Sequence, residues 1–339
     1  DNNRKRGGRS EMKVRASFLS PLFVLILYIL ALASGLLQDK LISGGNDPCL
    51  SVIIISMLVY IIPAIIFCRL KGVGYSAKLN IKLFSPGKLG CVIMSSLVLI
   101  CGTVLIRSAQ IYLGGTKEPV FSMFGEYLNA AQGAEFLPKA MAFAVVPAIC
   151  EEFVFRAILL TEYNEGGFGA VTASVISSLL SAMMFFDLEK LPVFFFCGII
   201  CCLVTYVTGS SLTAFIVHML FGFYGIFAEK YVTRAIINPS NRVISLFTFS
   251  LLFLVLAFIM LSEFEHILRK NGKSGVPTPS YRLKKADDGE TPDVAATEEE
   301  EEGTKKVIGD RTKMNIEAFF SPTFLLCILF FAAAVFGFS

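Results

Sequence analysis

The sequence contains no tryptophan, only two histidines and few charged residues, which make up 17% of its 339 positions. Its nine cysteines include no CxxC pair, which argues against a disulfide scaffold or a zinc–thiolate site. We interpret the cysteines as small packing residues. The net charge of +3 gives no indication of a nucleic-acid partner. Candidates for polar chemistry are therefore few.

Long apolar segments are what the sequence has in abundance. Hydrophobic residues make up 55% of the chain, and the mean hydropathy is +0.68. Crossing a bilayer takes about 20 mainly apolar residues, and backbone polar groups in lipid must be paired within a helix. The sequence therefore predicts an all-α polytopic membrane protein. The predicted spans are 18–37, 50–68, 89–106, 139–160, 168–188, 191–209, 211–228, 243–263 and 319–338.

Basic residues indicate the orientation of these spans. They cluster before the first span and between the second and third, whereas the loop 38–49 carries only Lys40. Positively charged short loops stay in the cytoplasm, so we expect a cytoplasmic N-terminus and a bacterial cytoplasmic membrane. The first span with Ala31-Leu32-Ala33 also resembles a secretory signal, but its length favours an uncleaved helix.

Polar segments divide the chain into four expected parts. Residues 1–15 form a basic cytoplasmic arm, interpreted as disordered, and residues 16–264 form the membrane-embedded helical domain. Residues 265–314 include the acidic run Glu298–Glu302 and cannot bury a core, which predicts a disordered cytoplasmic linker. Partner binding by the acidic run is the alternative to a solvated spacer. Residues 315–339 form a C-terminal transmembrane helix.

The first and last spans begin with the same pattern, F-x-S-P-x-F, at residues 18–23 and 319–324. Serine can cap a helix, and proline suits a first helical turn. Six positions are too few for a repeat. We interpret the pattern as a shared way of starting a membrane helix at the inner face.

Three charged side chains lie inside the predicted fourth span: Glu151, Glu152 and Arg156. One such residue at the bilayer centre costs roughly 2.5–3.5 kcal/mol, so three need partners or a function. Glu152 and Arg156 share one helix face and can form a structural ion pair. Glu151 points about 100° away from Glu152, which makes it the candidate functional carboxylate.

Two further polar side chains are candidates. His218 lies in the apolar seventh span, either as a packing residue or as a partner of the carboxylates. Glu189 lies with Asp187 and Lys190 where the fifth span ends. This cluster is either a charged turn at the membrane surface, or it directs Glu189 back toward Glu151. Two close carboxylates can share a proton, or hold a water or a metal ion.

Glu151-Glu152-Phe153-Val154-Phe155-Arg156 resembles the EExxxR motif of the CAAX-protease and bacteriocin-processing (CPBP) family of intramembrane proteases. Residues 191–198 and 208–218 are similar to the family's approach to its second histidine helix. The resemblance covers about residues 135–230, with core motifs within 139–228. It implies a CAAX-protease-like bundle of about eight helices, to which this chain adds its C-terminal helix.

The resemblance also implies roles for the charged residues. Glu151 activates water, while Glu152 and Arg156 fix the helix that carries it. His218 is the first residue of the family's HxxxN motif and polarises the scissile carbonyl, but Gly222 holds the asparagine position.

The family's FxxxH motif is matched to residues 185–189, beginning at Phe185, so that Glu189 holds the histidine position. We expect Glu189 in its protonated form to orient the water and to donate a proton to the leaving amine. No HExxH-type spacing supports a metal. A divalent cation stays an open possibility, and the cofactor is unknown.

Two functional classes follow. The first is an intramembrane endopeptidase that hydrolyses a membrane-associated peptide or protein with glutamate-activated water. The second is a catalytically inactive relative that acts as a membrane-binding, regulatory or immunity protein. A cavity filled by Phe185, Phe186 or Phe221 favours the second class. A transporter is disfavoured, because the sequence has no paired broken helices or inverted repeat.

Overall fold

The computed structural model describes residues 2–72, 74–75, 78–124, 136–270 and 315–337. Within these ranges the protein is helical and contains no strand, which confirms the all-α class. Short 3₁₀ turns, Pro86–Lys88 and Val120–Phe124, accompany the helices. The helices are α1 (Asn2–Ser43), α2 (Pro48–Lys71), α3 (Leu89–Tyr112), α4 (136–165), α5 (Ala170–Met183), α6 (Leu191–Thr208), α7 (Ser211–Phe227), α8 (Glu229–Ile237), α9 (Pro239–Lys270) and α10 (Pro322–Gly337).

Six helices of the described ranges are long and apolar enough to cross a membrane, namely α1, α2, α3, α6, α9 and the one that contains α10. The pair α7 and α8, bent by 60°, makes a seventh if it is counted as one span. The polytopic membrane fold is thus confirmed. The predicted fourth and fifth spans, which correspond to α4 and α5, do not pass this test of length and hydropathy.

Helix α4 is irregular where its charged residues lie. Two π-helical turns, Met141–Val145 and Phe153–Leu159, interrupt the α-helical segments Phe136–Ala140, Val146–Glu152 and Leu160–Glu165. Pro147 follows the first π turn and lacks a backbone donor. The second π turn begins directly after Glu152. Such turns shift the helix register locally and are frequent at functional sites.

Helix α5 is shorter than the predicted span 168–188. It begins after Gly169 and ends at Met183. Phe186 then adopts a left-handed backbone conformation with φ of +48°, which is unusual for a bulky residue. This conformation turns the chain sharply and ends the helix before the charged cluster at 187–190.

The predicted boundaries also shift at the ends of the chain. The basic segment 1–15, predicted to be a disordered arm, lies within the bounds of α1, which begins at Asn2. Helix α9 continues to Lys270, six residues into the predicted linker. The rest of that linker, residues 271–314, lies outside the described residues.

Helix α10 packs lengthwise on α1. The Thr323 hydroxyl donates to the Ser17 carbonyl over 3.4 Å, and the Cys327 thiol lies 3.2 Å from the Pro21 carbonyl. The two helices are therefore parallel, with their F-x-S-P-x-F segments at the same end. The motif begins α10 at Pro322, whereas Pro21 lies inside α1, which begins at Asn2. The prediction that both helices begin in the same way is therefore wrong for α1.

Small residues allow α5 and α6 to approach closely. A Cβ atom on Gly198 would lie 2.6 Å from the Ser178 Cβ and 2.9 Å from its Cα. All nine cysteines are free and eight are buried, which confirms that they serve as packing residues. Close helix contact through small side chains is a general means of association in membranes.

We expect Gly198→Ala to lower the thermal unfolding midpoint of the detergent-purified protein. The added methyl group would meet the Ser178 backbone, and overpacking of this kind costs about 1–3 kcal/mol. Gly90→Ala is the matched control, because a Cβ atom there has no atom within 4 Å. Equal midpoints for the two variants would contradict the close helix contact.

Candidate active site

Arg156, Glu152 and His218 form a buried chain of polar contacts between α4 and α7. Glu152 Oε1 lies 3.0 Å from Arg156 Nη1 and 2.8 Å from His218 Nδ1. The side chains of Glu152 and Arg156 are 2% and 1% exposed. The predicted ion pair is therefore present. Its carboxylate also orients the imidazole, so of the two sequence alternatives for His218 the structure shows the partner of the carboxylates.

Glu151 faces the other nitrogen of the same imidazole. Its Oε2 lies 4.0 Å from His218 Nε2, which is too long for a hydrogen bond. Both side chains line a small cavity of about 10 Å³, which is close to the space that one water molecule needs. A water between the two groups would lie within hydrogen-bonding reach of both.

Aromatic rings form much of the cavity wall. Phe121, Phe143, Phe185 and Phe194 line it, and the rings of Phe185 and Phe194 stack with centroids 3.7 Å apart. Of the phenylalanines that sequence reasoning considered, Phe185 alone lines the cavity. Phe186 turns away and packs on Tyr28, 5.7 Å between centroids. The cavity is thus narrow and mainly apolar.

Gly222, the second motif position in doubt, also lines the cavity. A Cβ atom there would lie 3.0 Å from both the Cα and the Cβ of Ala144. Helices α4 and α7 are therefore in close contact at this point. An asparagine at position 222 would need these helices to move apart, so the site lacks this polar group and has little space for it.

The structure does not bring Glu189 to Glu151. The Glu189 carboxylate accepts hydrogen bonds from the Thr116 hydroxyl over 2.6 Å and from the Thr116 amide over 3.2 Å. Asp187 caps this turn by accepting from the amides of Glu189 and Lys190 at 2.9 and 3.1 Å. Glu189 is thus bonded to the connection after α3 and does not line the cavity. The geometry contradicts its predicted position beside Glu151.

The reason lies in the turn that follows α5. This helix ends at Met183, and the chain turns at Phe186. Phe185, four residues before Glu189, is the residue of this segment that lines the cavity. Ser181, four residues earlier again, accepts a long hydrogen bond of 3.4 Å from Arg156 Nη1. A phenylalanine ring therefore lines the cavity where the prediction placed the Glu189 carboxylate.

Sequence reasoning missed Phe121, Phe143 and Phe194 as cavity residues. Phe121 comes from the connection after α3, where its backbone amide donates to Glu229 over 3.0 Å. The isolated apolar group at 120–121 was the only sequence signal for this contact. Its partner Glu229, more than 100 residues further along, carries no sequence signal for this contact.

The described residues contain no group of three or more His, Cys, Asp or Glu side chains arranged to hold a metal ion. Glu151 and His218 make only a pair, since Glu152 is already bonded to Arg156 and His218. The described residues thus do not form a complete ligand set for a divalent cation.

Comparison with known proteins gives one family match, which spans the candidate site. Residues 133–224 match the family model described as "Rce1-like: Type II CAAX prenyl endopeptidase Rce1-like". The match contains Glu151, Glu152, Arg156 and His218 and confirms the resemblance to CAAX-protease-like proteins. At the level of that family it supports an intramembrane protease. No curated protein and no solved structure matches the chain.

We expect Arg156→Met and Glu152→Gln each to lower the amount of folded protein sharply. Each change leaves one buried charge without its partner, which typically costs about 3–5 kcal/mol. The double variant removes both charges, so we expect it to be more stable than the sum of the single effects predicts. Thermal unfolding of the purified variants measures all three. Additive losses would contradict a coupled buried pair.

Proposed function

We propose that this protein is an intramembrane endopeptidase of the CAAX-protease-like type. Its substrate is a membrane-associated peptide or protein, and its nucleophile is a water held between Glu151 and His218. The observation that carries this proposal is the Glu151–His218 pair, 4.0 Å apart, which lines a cavity the size of one water. The family match at residues 133–224 supports it at the level of the reaction class.

In the proposed reaction, the Glu151 carboxylate accepts a proton from the water, whose oxygen attacks the carbonyl carbon. The carbonyl oxygen becomes an oxyanion, and an Nε2–H of His218 stabilises it. The C–N bond then breaks, and Glu151 returns the proton to the leaving amine. One water is consumed, and one carboxyl and one amine terminus are formed.

Glu152 and Arg156 support this reaction without touching the substrate. Glu152 Oε1 bonds His218 Nδ1 over 2.8 Å, so the imidazole is held with Nε2 toward the cavity. A carboxylate in this position also balances the charge of a protonated imidazole. Arg156 in turn holds Glu152. The two residues are therefore positioning residues in this proposal.

The missing polar groups predict a slow enzyme. Gly222 offers no side-chain donor to an oxyanion, and Phe185 offers no second imidazole. Loss of one oxyanion donor typically reduces the rate by ~10²–10³-fold. The reaction involves the membrane-embedded domain of residues 16–264, with no step assigned to the linker or to the last helix. A bacterial cytoplasmic membrane and a cytoplasmic N-terminus remain predictions.

A second candidate function has its own supporting observation. The cavity is lined by four phenylalanines and has the volume of about one water, so it does not accommodate a peptide in this conformation. A catalytically inactive relative that binds a membrane partner would need no larger space. In that case Glu151 and His218 would be retained for structure.

The first test compares protein N-termini in cells that lack the protein and in cells that carry the unmodified protein or Glu151→Gln at equal membrane levels. We expect new termini only with the unmodified protein, because an amide cannot take the proton from water. Glu265→Gln is the matched control, since this carboxylate is exposed and pairs with Arg269. Termini that persist in Glu151→Gln would overturn the assigned role of Glu151. Identical termini in all cells would favour the second function.

A second prediction concerns Phe185, which we propose takes the position of the histidine in the family's FxxxH motif. We expect Phe185→His to raise the yield of cleaved termini, by up to ~10²-fold if the imidazole supplies general acid–base catalysis. Phe185→Leu is the matched control, because it removes the ring and adds no titratable group. Equal yields for the two variants would contradict the assignment of position 185 to the motif histidine.

A further inference from the structure

The connection after α3 contributes one residue, Phe121, to the wall of the cavity that Glu151 and His218 line. We call residues 113–121 of this connection the strap. Phe121, at its end, lines the cavity and is only 6% exposed. Its ring lies 6.1 Å from that of Phe194 and 5.2 Å from that of Phe221, measured between centroids. Phe121 thus fills apolar space beside the two polar residues.

A buried carboxylate fixes the Phe121 end of the strap. Glu229, at the start of α8, is 1% exposed. It accepts hydrogen bonds from the backbone amides of Val120 over 2.6 Å and of Phe121 over 3.0 Å. Hydrogen bonds to a charged group are stronger than those between neutral groups. Glu229 lies outside the matched residues 133–224 and has no part in the proposed hydrolysis.

A second set of contacts fixes the other end. Arg107 donates to the carbonyls of Thr116 and Glu118 over 3.1 and 2.6 Å. The Glu189 carboxylate accepts from Thr116, and Gln110 donates to the Glu189 carbonyl over 2.6 Å. Glu189 therefore has a structural explanation, because it holds the strap.

Gly225 on α7 makes room for the Phe121 ring. A Cβ atom at this position would lie 2.3 Å from the ring, a distance at which one of the two groups must move. The absence of a side chain at 225 and the ring at 121 thus depend on each other. A larger residue at 225 would displace Phe121 while leaving Glu229 unchanged.

We propose that the strap gates the cavity and that Phe121 occupies the subsite for a large apolar side chain of the substrate. The closed cavity has space for about one water, so a peptide must displace the ring before it reaches Glu151. The vacated space, bordered by Phe194, Phe221 and Gly225, would then accept an aromatic or large aliphatic residue. Gating is independent of the reaction, whereas the subsite assignment rests on the proposed function.

The experiment measures how fast a small methanethiosulfonate reagent modifies Ala148→Cys in the full-length protein in detergent. Ala148 lines the cavity and is 1% exposed. Mass spectrometry localises the label at position 148, apart from the nine native thiols. We expect labelling to accelerate by about tenfold or more when Phe121→Ala, Gly225→Ala or Glu229→Gln is added. Phe121→Ala removes the ring, Gly225→Ala displaces it, and Glu229→Gln removes the contact to a charged group.

Glu118→Gln is the matched control for Glu229→Gln. It lies on the strap, but its carboxylate accepts only an exposed hydrogen bond of 3.3 Å from Ser122 among the contacts described. We expect its labelling rate to equal that of the Ala148→Cys parent. Thermal unfolding of each variant shows whether it is folded. If Phe121→Ala or Glu229→Gln does not fold, Gly225→Ala still tests the gate, because it keeps both Phe121 and the Glu229 carboxylate.

The outcomes separate the two proposals. Unchanged labelling in folded Phe121→Ala and Glu229→Gln would overturn the gate. Faster labelling without any new termini in cells would support the gate and count against the protease. If labelling is faster and large apolar residues are enriched beside the cleaved bonds, the apolar subsite is supported. If labelling is faster and the cleaved bonds show no preference for any residue type, the apolar subsite is overturned.

Discussion

The Arg156 guanidinium lies almost fully buried in an apolar bundle, and much of the site geometry follows from the need to neutralise it. A lone cation there would be strongly unfavourable. Glu152 meets it at 3.0 Å, and the same carboxylate oxygen holds His218. Because Glu151 precedes Glu152 by one helix position, it is directed to the other nitrogen of the imidazole. One electrostatic requirement thus orients three side chains from two helices.

The local part of this arrangement could be predicted from the sequence. Charged residues stand out in an apolar span, and a spacing of four places Glu152 beside Arg156 in any helix. The nine apolar segments likewise predicted the order of the helices. Their lengths were less accurate for α4 and α5, since π turns and the left-handed Phe186 depend on packing that a hydropathy pattern does not contain.

Contacts between distant segments could not be predicted in the same way. Glu189 was placed at the site because a carboxylate is a chemically plausible replacement for a histidine, although it is Phe185, four residues earlier, that lines the cavity. Its true partner, Thr116, lies 73 residues earlier. Glu229 and Val120 are separated by 109 residues. Neither pair has a spacing or composition that marks it, so only the folded chain reveals the strap.

The parallel packing of α10 on α1 determines whether the number of membrane crossings before α10 is odd or even. Parallel neighbours enter the bilayer from the same side, and the sequence predicts that residues 271–314, with their run of glutamates, do not cross it. The chain must therefore cross an even number of times before α10. Helices α1, α2, α3, α6 and α9 with the bent α7–α8 pair already make six. Consequently α4 and α5 either both traverse the bilayer or both return to the side from which they entered.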